Sequence, residues 1–360
     1  MSTEVILYSK SATKKHLCGH LISLGYRPSG HLWNWPKGSR NFHWFEAEDF
    51  KSIDGVEATI YPPSEDEQRK HGPVTWALHT RTRASASSFD KEYQNYTIRT
   101  ARRTFGGHFY NDWHGKNRYT PLWDDKKTPA GRGIFQSYSW VLHNIRAIEH
   151  TIPESKLDLS GNSKIEDFLR RVDPVRVLYN ALVPFAVAAI EHFFSQTFKI
   201  LLRYDAKAQK RLAQQSRKID IQDVLAVSRR ETSVEDIVAA WYSFQNVRSI
   251  HNAFHDWFDI DLWKLLRRRK RIGRRLMILE RRFNDLIQFR HGIVHRFELD
   301  SGLGREEALA MLETVKVIIV VFVDYLERER GIKIRDSVSK RRLPSDKNSR
   351  IAIETSSDSA

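Results

Sequence analysis

Arg290-His291-Gly292-Ile293-Val294-His295 ends an amphipathic segment near the C-terminus of a 360-residue chain. An imidazole at His295 can move the proton of a 2′-hydroxyl group, and a guanidinium at Arg290 can hold a phosphate while negative charge develops on it. These are the groups needed to cleave RNA without a metal ion. The alternative is a basic helix end, where cations offset the helix dipole and cap its last carbonyls.

The spacing within this run limits how one helix can present it. Successive helical residues are rotated by about 100°, so Arg290 and His295 point in directions roughly 140° apart. His291 and His295, in contrast, share one face. Three arrangements remain open: the long arginine wraps around the helix, the helix ends here, or a second copy of the chain completes the site.

The charge of the chain indicates a polyanionic partner. The net charge is +15 and the isoelectric point is near 9.8, which favours nucleic acid first and an anionic membrane surface second; simple solubility is the alternative. Residues 267–275 hold seven basic residues in nine, enough to neutralise several phosphates. We predict that this run binds RNA through Arg267, Arg268, Arg269, Lys270, Arg271, Arg274 and Arg275, with a solvated face as the alternative.

Composition and targeting signals favour a globular cytoplasmic protein. Hydrophobic residues make up 41% of the chain and aromatic residues 11%, and the length allows two domains. The single cysteine, Cys18, excludes an internal disulfide framework and fits a reducing compartment. No signal peptide is visible, and the longest apolar block, Val317–Val323, is too short to cross a bilayer.

The first half, residues 1–150, is predicted to be a mixed α+β domain. Its pattern alternates between helical spacing and short β-rich runs bounded by turn residues. We expect helices at 13–24 and 88–105, strands at 31–35, 41–45, 56–61 and 74–82, a loop at 111–135, a short helix near 137–148 and a polar linker at 151–163. The helix at 88–105 should end at Gly106.

The second half, residues 165–331, is predicted to be an all-α four-helix bundle. Apolar residues recur at helical spacing with short connections between the segments. We expect the four helices at 174–202, 233–258, 273–295 and 304–330. Pro184 predicts a kink or a late start in the first of them, and Ser233 with Asp236 predicts a cap for the second. The tail, 335–360, is predicted to be disordered.

The second half resembles the HEPN superfamily, and most closely its RiboL-PSP-HEPN group. Arg290 to His295 matches the superfamily signature of an arginine, four residues and a histidine. Ala189-Ile190-Glu191-His192-Phe193 is similar to the acidic position on the first long helix of the group. Residues 244–258 resemble its second long helix.

This resemblance implies a metal-independent endoribonuclease that acts as a homodimer, with the paired motifs lining a shared cleft. It implies that His295 is the general base or acid, that Arg290 binds the scissile phosphate, that His291 assists or orients, and that Glu191 holds a motif side chain across the bundle. Attack by the neighbouring 2′-hydroxyl would leave a cyclic phosphate and a 5′-hydroxyl. Such nucleases are typically toxins or phage-defence effectors. The alternative is a non-catalytic protein that binds RNA, a nucleotide or a partner chain.

Other polar groups are weaker candidates. His251 and His255 have the spacing of zinc ligands, as His291 and His295 do, but no third ligand accompanies them, and the same holds for the cluster His16, Cys18 and His20. We therefore predict neither a metal ion nor a cofactor. Three basic or aromatic segments of the first half could form a sensor pocket, an RNA-binding surface or simple packing: 76–83, the arginines at 99, 102 and 103, and 106–113.

Overall fold

The computed structural model describes residues 2–30, 35–122, 127–154, 164, 168–169, 173–273 and 275–335. Within these ranges, an N-terminal region with an antiparallel sheet is followed by a helix-rich half. The predicted succession of a mixed α/β region and a helical region is therefore confirmed. Arg274, most of the predicted strand at 31–35, most of the linker at 151–163 and nearly all of the tail at 335–360 lie outside the described residues.

The N-terminal region combines seven strands with three α-helices in its described residues. In chain order these are β1 (Thr3–Tyr8), α1 (Lys14–Ser23), β2 (Arg27–Pro28), β3 (Arg40–Trp44), β4 (Val56–Tyr61), α2 (Glu65–His71), β5 (Ala77–Thr82), α3 (Ser88–Phe105), β6 (His108–Asn111) and β7 (Gly115–Lys116). The helices begin at side-chain caps: Thr13 accepts a hydrogen bond from the backbone N–H of His16, and Ser87 forms a capping box with Asp90. Gly106 ends α3, as the sequence predicts.

The seven strands form one sheet in the order β2-β3-β4-β5-β1-β6-β7, and every neighbouring pair is antiparallel. Helices α1 and α3 cover one face, where alternate strand residues and the apolar sides of the helices form a core. The members of this core include Leu7, Leu17, Leu21, Ile60, Leu78, Ile98 and Phe109. The opposite face carries mainly polar and aromatic side chains and is partly covered by α2.

The helical half contains nine α-helices and a β-hairpin in its described residues. The helices are α4 (Pro129–Thr151), α5 (Pro174–Tyr204), α6 (Ala206–Ala213), α7 (Ile221–Ser228), α8 (Val234–Ala239), α9 (Val247–Phe258), α10 (Leu262–Leu266), α11 (Leu279–Arg296) and α12 (Arg305–Glu329). The hairpin pairs β8 (Arg269–Ile272) with β9 (Arg275–Ile278).

Helix α5 is the centre of the helical core. The ring of Phe194 is fully buried and contacts the rings of Phe254 on α9, Phe283 on α11 and Phe322 on α12, with centroids 5.0–6.5 Å apart. The rings of Phe254 and Phe322 pack edge to face with Phe194 and that of Phe283 is stacked, and such ring pairs bury large areas and add a directional attraction. Three helices are thereby held around one side chain of α5.

Three predicted helix boundaries differ from the structure. The segment 233–258 is broken into α8 and α9, because Asn246 leaves the helical conformation and its side chain caps α9 at Ser249; the predicted cap of Ser233 with Asp236 is present at α8. The segment 273–295 becomes helical only at Leu279, because residues 269–278 form the hairpin, with Gly273 in its turn at φ +55°. Despite Pro184, α5 runs without interruption from Pro174 to Tyr204, so the alternative of a late start is wrong.

Helix α4 belongs to the helical core. It extends well beyond the predicted stretch at 137–148 and occupies part of the predicted loop at 111–135. Its buried residues, among them Ile134, Val141 and Ile145, pack in the same apolar cluster as α5 and α12. The helical core therefore extends upstream of the predicted bundle range of 165–331.

The two halves meet at a 3₁₀ turn, Glu48–Phe50, which packs on α4 and α5. A Cβ at Gly133 would lie 2.8 Å from the ring of Phe50, so only glycine allows this close approach. The phenolic hydroxyl of Tyr204 donates to the carboxylate of Asp49 at 3.0 Å, and the Nε of Arg132 donates to the Asp49 carbonyl at 3.0 Å. The packing of the Phe50 ring on Gly133 and the two hydrogen bonds of Asp49 thus join the sheet region to the helical core.

Among the described residues, α5 is the one helix that is long and apolar enough to cross a membrane by length and composition. The apolar block Val317–Val323, which is the longest in the sequence, lies on α12 and not on this helix. Phe193, Phe194 and Phe198 of α5 are nevertheless buried in the helical core. The central helix of a soluble bundle has the same composition, and these contacts fit that role.

Candidate functional site

The motif residues lie on α11, which runs antiparallel to α5. Two contacts define this alignment. Near one end, the Nη2 of Arg290 lies 3.8 Å from the Oε1 of Glu191. Near the other, the side-chain amide of Asn180 exchanges two hydrogen bonds of 2.9 Å with the backbone of Asp300. Residues 290–299 therefore pass beside residues 181–191 of α5.

The buried stripe of α11 determines which way each motif side chain points. Leu279, Phe283 and Leu286 are buried against the core. Arg290 continues this stripe four residues after Leu286, so its side chain is directed towards α5 and is half-buried there. His291 and His295 lie on a different face, and both are exposed.

Glu191 and Arg290 form a partly desolvated ion pair. Their side chains are 20% and 21% exposed, and the Oε1 of Glu191 is buried without a hydrogen-bond donor. Burial raises the pKa of the Glu191 carboxyl, and the positive charge of Arg290 opposes that rise. The structure thus brings Glu191 to the motif arginine, the position that the resemblance implies for it.

The two motif histidines contact each other. The ring centroids of His291 and His295 are 4.5 Å apart with the planes at 46°. Within the described residues, no hydrogen bond or ion pair joins His295 to Arg290. This agrees with the angular separation calculated from the spacing: a single chain does not bring the imidazole of His295 and the guanidinium together.

Helix α11 ends directly after the motif. Phe297 adopts φ +57°, a left-handed conformation that bulky residues rarely take, and the backbone N–H of Glu298 bonds to the carbonyl of Gly292 at 3.2 Å. The ring of Phe297 is 87% exposed. The motif is therefore followed by a capped helix end with a large apolar side chain in solvent.

An exposed apolar surface adjoins the motif, and we call it the apolar seam. On α5 the exposed positions recur at alternating intervals of four and three residues, the pattern of a helix that packs against another helix. These positions are Leu178, Ala181, Phe185, Ala188 and His192. Phe185 is 64% exposed, and the ring of Trp140 on α4, 56% exposed, lies 4.8 Å from the ring of His192.

An open groove of about 410 Å³ lies next to Glu191 and shares Ala188 and His192 with the apolar seam. It passes between α5 and the break that separates α8 from α9, and it is lined by Ala188, Glu191, His192, Ser195, Tyr242, Ser243, Phe244 and Gln245. The predicted continuous helix at 233–258 leaves no room for this groove. The polar residues Ser243, Gln245 and Asn246 are the signal in the sequence for the break.

The basic run predicted to bind RNA is an exposed hairpin that leads into α11. Arg268, Arg269, Arg271 and Arg275 are exposed and Lys270 is half-buried, whereas Ile272 is buried in the helical core. Arg267, just before the hairpin, pairs with Glu280 at 3.3 Å. Helix α11 begins directly after β9, so one helix connects this basic run to the motif. Arg274 lies outside the described residues.

The remaining candidates are mostly used in packing. Among the described residues, no three side chains of the metal-ligating types converge, and His251 and His255 contact each other with ring centroids 5.4 Å apart. His20 lies within hydrogen-bond distance of Thr100, at 3.2 Å. Arg99 covers the ring of Tyr119 and Arg102 covers the ring of Phe109, at 5.3 and 5.6 Å. The guanidinium groups of these two arginines therefore pack over aromatic rings in cation–π contacts.

No protein-family model, no curated protein and no solved structure matches the chain. The resemblance of the second half to the HEPN superfamily accordingly stays a prediction that depends on the motif residues and their surroundings.

Replacement of Glu191 by glutamine tests the electrostatics of this site. Because the folded-state pKa of Glu191 is raised, its contribution to stability is full below the ordinary value of 4.5 and is lost as the pH rises through the folded-state pKa. Glutamine does not titrate. The unfolding free energy of the wild type minus that of Glu191→Gln is therefore expected to fall as the pH rises above the ordinary carboxyl pKa of 4.5, measured by urea denaturation.

Arg290→Leu provides the matched comparison. It removes the cation that opposes the rise in the Glu191 pKa, so the loss of stability with increasing pH should become larger than in the wild type. Identical pH profiles for the wild type and Glu191→Gln would contradict the described pair.

Proposed function

We propose that the protein is a metal-independent endoribonuclease that acts as a homodimer. The observation that carries this proposal is the motif itself: a solvent-accessible histidine pair beside an arginine that Glu191 positions, at the end of a helix that begins at a basic hairpin. The resemblance of the motif and of Glu191 to the HEPN superfamily supports the same assignment.

The proposed reaction uses the 2′-hydroxyl of the substrate as the nucleophile. The imidazole of His295 removes the 2′-hydroxyl proton, the 2′-oxygen forms a bond to phosphorus, and the bond from phosphorus to the 5′-oxygen breaks. The leaving 5′-oxygen takes up a proton. The products are a 2′,3′-cyclic phosphate and a 5′-hydroxyl, and DNA resists because it lacks the nucleophile.

Arg290 is proposed to stabilise the phosphate. Within the described residues its guanidinium donates no hydrogen bond to the protein, and Glu191 is 3.8 Å away. The N–H groups therefore remain available for two phosphate oxygens as charge develops on them. His291 contacts the ring of His295 and is proposed to orient it.

A second chain is proposed to complete the site. Arg290 faces α5 and His295 faces solvent, so one chain separates the two groups. Packing of two apolar seams would bury Phe185, Trp140 and Phe297 and bring the motif of each chain to that of the other. Each composite site would then combine Arg290 of one chain with His295 of its partner.

The RNA is proposed to approach along the hairpin. Arg267, Arg268, Arg269, Lys270, Arg271, Arg274 and Arg275 supply the positive charge that a phosphate backbone requires. The cytoplasm is the proposed location, and a toxin or phage-defence effector is the proposed biological role. The competing hypothesis is a non-catalytic binding protein in which the motif serves the dimer interface.

Cleavage of total RNA in EDTA tests the chemistry. His295→Ala removes the proton acceptor and should lower the rate by about 10²- to 10⁴-fold, and Arg290→Ala should lower it by about 10²- to 10³-fold. His255→Ala, which changes an exposed histidine on α9, is the matched control and should retain wild-type activity. If His295→Ala cleaves as fast as the wild type, or if neither cleaves, the nuclease assignment is wrong.

Charge placed in the apolar seam tests the dimer. Phe185→Glu is expected to convert the dimer into a monomer, because a buried carboxylate at the centre of an apolar interface has no partner. The measurement is the molar mass by light scattering after gel filtration. Leu225→Glu on α7, where an apolar side chain is exposed outside the seam, should leave the mass unchanged. A monomeric wild type, or a dimeric Phe185→Glu, would contradict the proposal.

A further inference from the structure

The sheet face opposite α1 and α3 has a cluster of polar aromatic and basic residues at one edge. In the antiparallel register, Tyr8 pairs with His108, and Tyr110 pairs with Ile6 on one side and Lys116 on the other. Paired residues point to the same face of a sheet, so Tyr8, His108, Tyr110 and Lys116 all lie on the open face. We call these four residues, with Lys70 and His71 of α2, the sheet-edge cluster.

Contacts with α2 hold the imidazoles of the cluster in place. The ring of His71 stacks on the ring of Tyr8 at 4.0 Å with an interplanar angle of 8°, and its Nδ1 lies 3.2 Å from the Nε2 of His108. One oxygen of Glu67 accepts hydrogen bonds from Tyr8 at 2.9 Å and from Tyr61 at 2.6 Å. The α2 helix is thus fastened to the sheet with two imidazoles fixed side by side.

Lysine side chains lie around these imidazoles, and Glu67 is the one described carboxylate whose charge acts on His71. The ammonium group of Lys70 lies 5.7 Å from the centre of the Tyr110 ring, and a Cβ on Gly72 would meet the Cε of Lys10 at 3.5 Å. Within the described part of the chain, Lys10, Lys70 and Lys116 make no ion pair. The neighbouring carboxylate, Glu67, is occupied by the two tyrosine hydroxyls.

The environment of the two histidines favours their uncharged forms, because both rings are partly buried and lie near lysine ammonium groups. Burial lowers the pKa of His71, and Lys70 and Lys116 lower it further against the opposing charge of Glu67. Burial also lowers the pKa of His108, with further contributions from Lys116, His71 and Arg102. Ammonium groups and imidazoles that converge in this way are suited to phosphate oxygens.

The cluster also offers an aromatic surface. The side chain of Tyr110 is 41% exposed and lies next to Lys70 and His71. An exposed ring flanked by cations is the arrangement that proteins use to stack a nucleobase while binding its phosphate. The cluster therefore places an exposed aromatic ring next to an ammonium group and an imidazole.

We infer that the sheet-edge cluster is a nucleotide-binding site, in which the base stacks on Tyr110 and the phosphate is held by Lys70, Lys116 and the His71–His108 pair. The ligand is either a free nucleotide or a nucleotide unit within single-stranded RNA, since both present the same base and phosphate. The site lies in the N-terminal sheet region and does not depend on the proposed nuclease activity.

Binding to the full-length protein tests this inference with two probes, a fluorescent 2′-O-methyl RNA oligonucleotide and ATP. The methylated oligonucleotide cannot be cleaved by 2′-hydroxyl attack, so a failure of the nuclease proposal does not affect the result. The double variant Lys70→Ala/Lys116→Ala should bind at least one of the probes about tenfold more weakly. For the oligonucleotide, the log–log salt slope should fall by about one for each lysine. Tyr110→Ala should also weaken binding about tenfold through lost stacking.

The control is Lys15→Ala/Lys218→Ala, which removes the same charge from two exposed lysines outside the cluster and should bind as the wild type does. Weaker binding of ATP by the Lys70→Ala/Lys116→Ala variant identifies a site for free nucleotides, and weaker binding of the oligonucleotide alone identifies an RNA site. Affinities for both probes that are unchanged in the Lys70→Ala/Lys116→Ala variant would overturn the inference. Unchanged thermal unfolding of this variant shows that the lost affinity does not come from misfolding.

Discussion

The burial of one stripe of α11 against α5 controls the direction of every motif side chain. Phe283 and Leu286 must face the core, where Phe283 meets Phe194. Arg290 follows at the same helical phase, and because a buried guanidinium needs a counter-charge, Glu191 lies opposite it. His295 is then necessarily turned away from Arg290, since five residues of helix separate the two. The packing of the core and the separation of His295 from Arg290 have the same cause.

The separation of Arg290 from His295 suggests a role for the exposed apolar seam as the proposed dimer interface. Phe185 and Phe297 are large apolar side chains that are 64% and 87% exposed, and Phe297 lies two residues after His295. A dimer formed through the seam would bury these rings and unite the two groups in one step. The sheet-edge cluster adds a second proposed site for phosphate, remote in sequence from the motif, so the positive charge of the chain would act in both halves.

Several elements could be predicted from the sequence because local signals determine them. Strand β4 matches its predicted bounds, α3 ends at Gly106, and Ser233 caps α8 as its spacing with Asp236 indicates. The hairpin at 269–278 was predicted to be helical because its arginines obscure any apolar alternation, and the turn at Gly273 is one residue in a basic run. Residues 240–246 interrupt the helix predicted at 233–258. The side-chain cap at Asn246 is a weaker signal in the sequence than the helical spacing of the apolar residues on both sides of it.

The motif of α11 could be predicted from the sequence, whereas the sheet-edge cluster could not. The motif of α11 is contiguous, and the resemblance also indicated Glu191, although their 3.8 Å contact depends on how two helices pack. The sheet-edge cluster unites residues from four elements, β1, α2, β6 and β7, through strand register. The sequence singles out 106–113 as a candidate surface, but nothing in it brings Tyr8 and His71 to that segment.

Complementation between two inactive chains is the most direct test of the composite site. Arg290→Ala and His295→Ala chains, each with a different affinity tag, are mixed, and the doubly tagged heterodimer is purified and assayed on RNA in EDTA. In a composite arrangement, one of its two sites combines an intact Arg290 with an intact His295, so the heterodimer should recover about half of the wild-type activity, while both homodimers stay inactive. A heterodimer as inactive as its parents would contradict the account, because each site would then lie within a single chain.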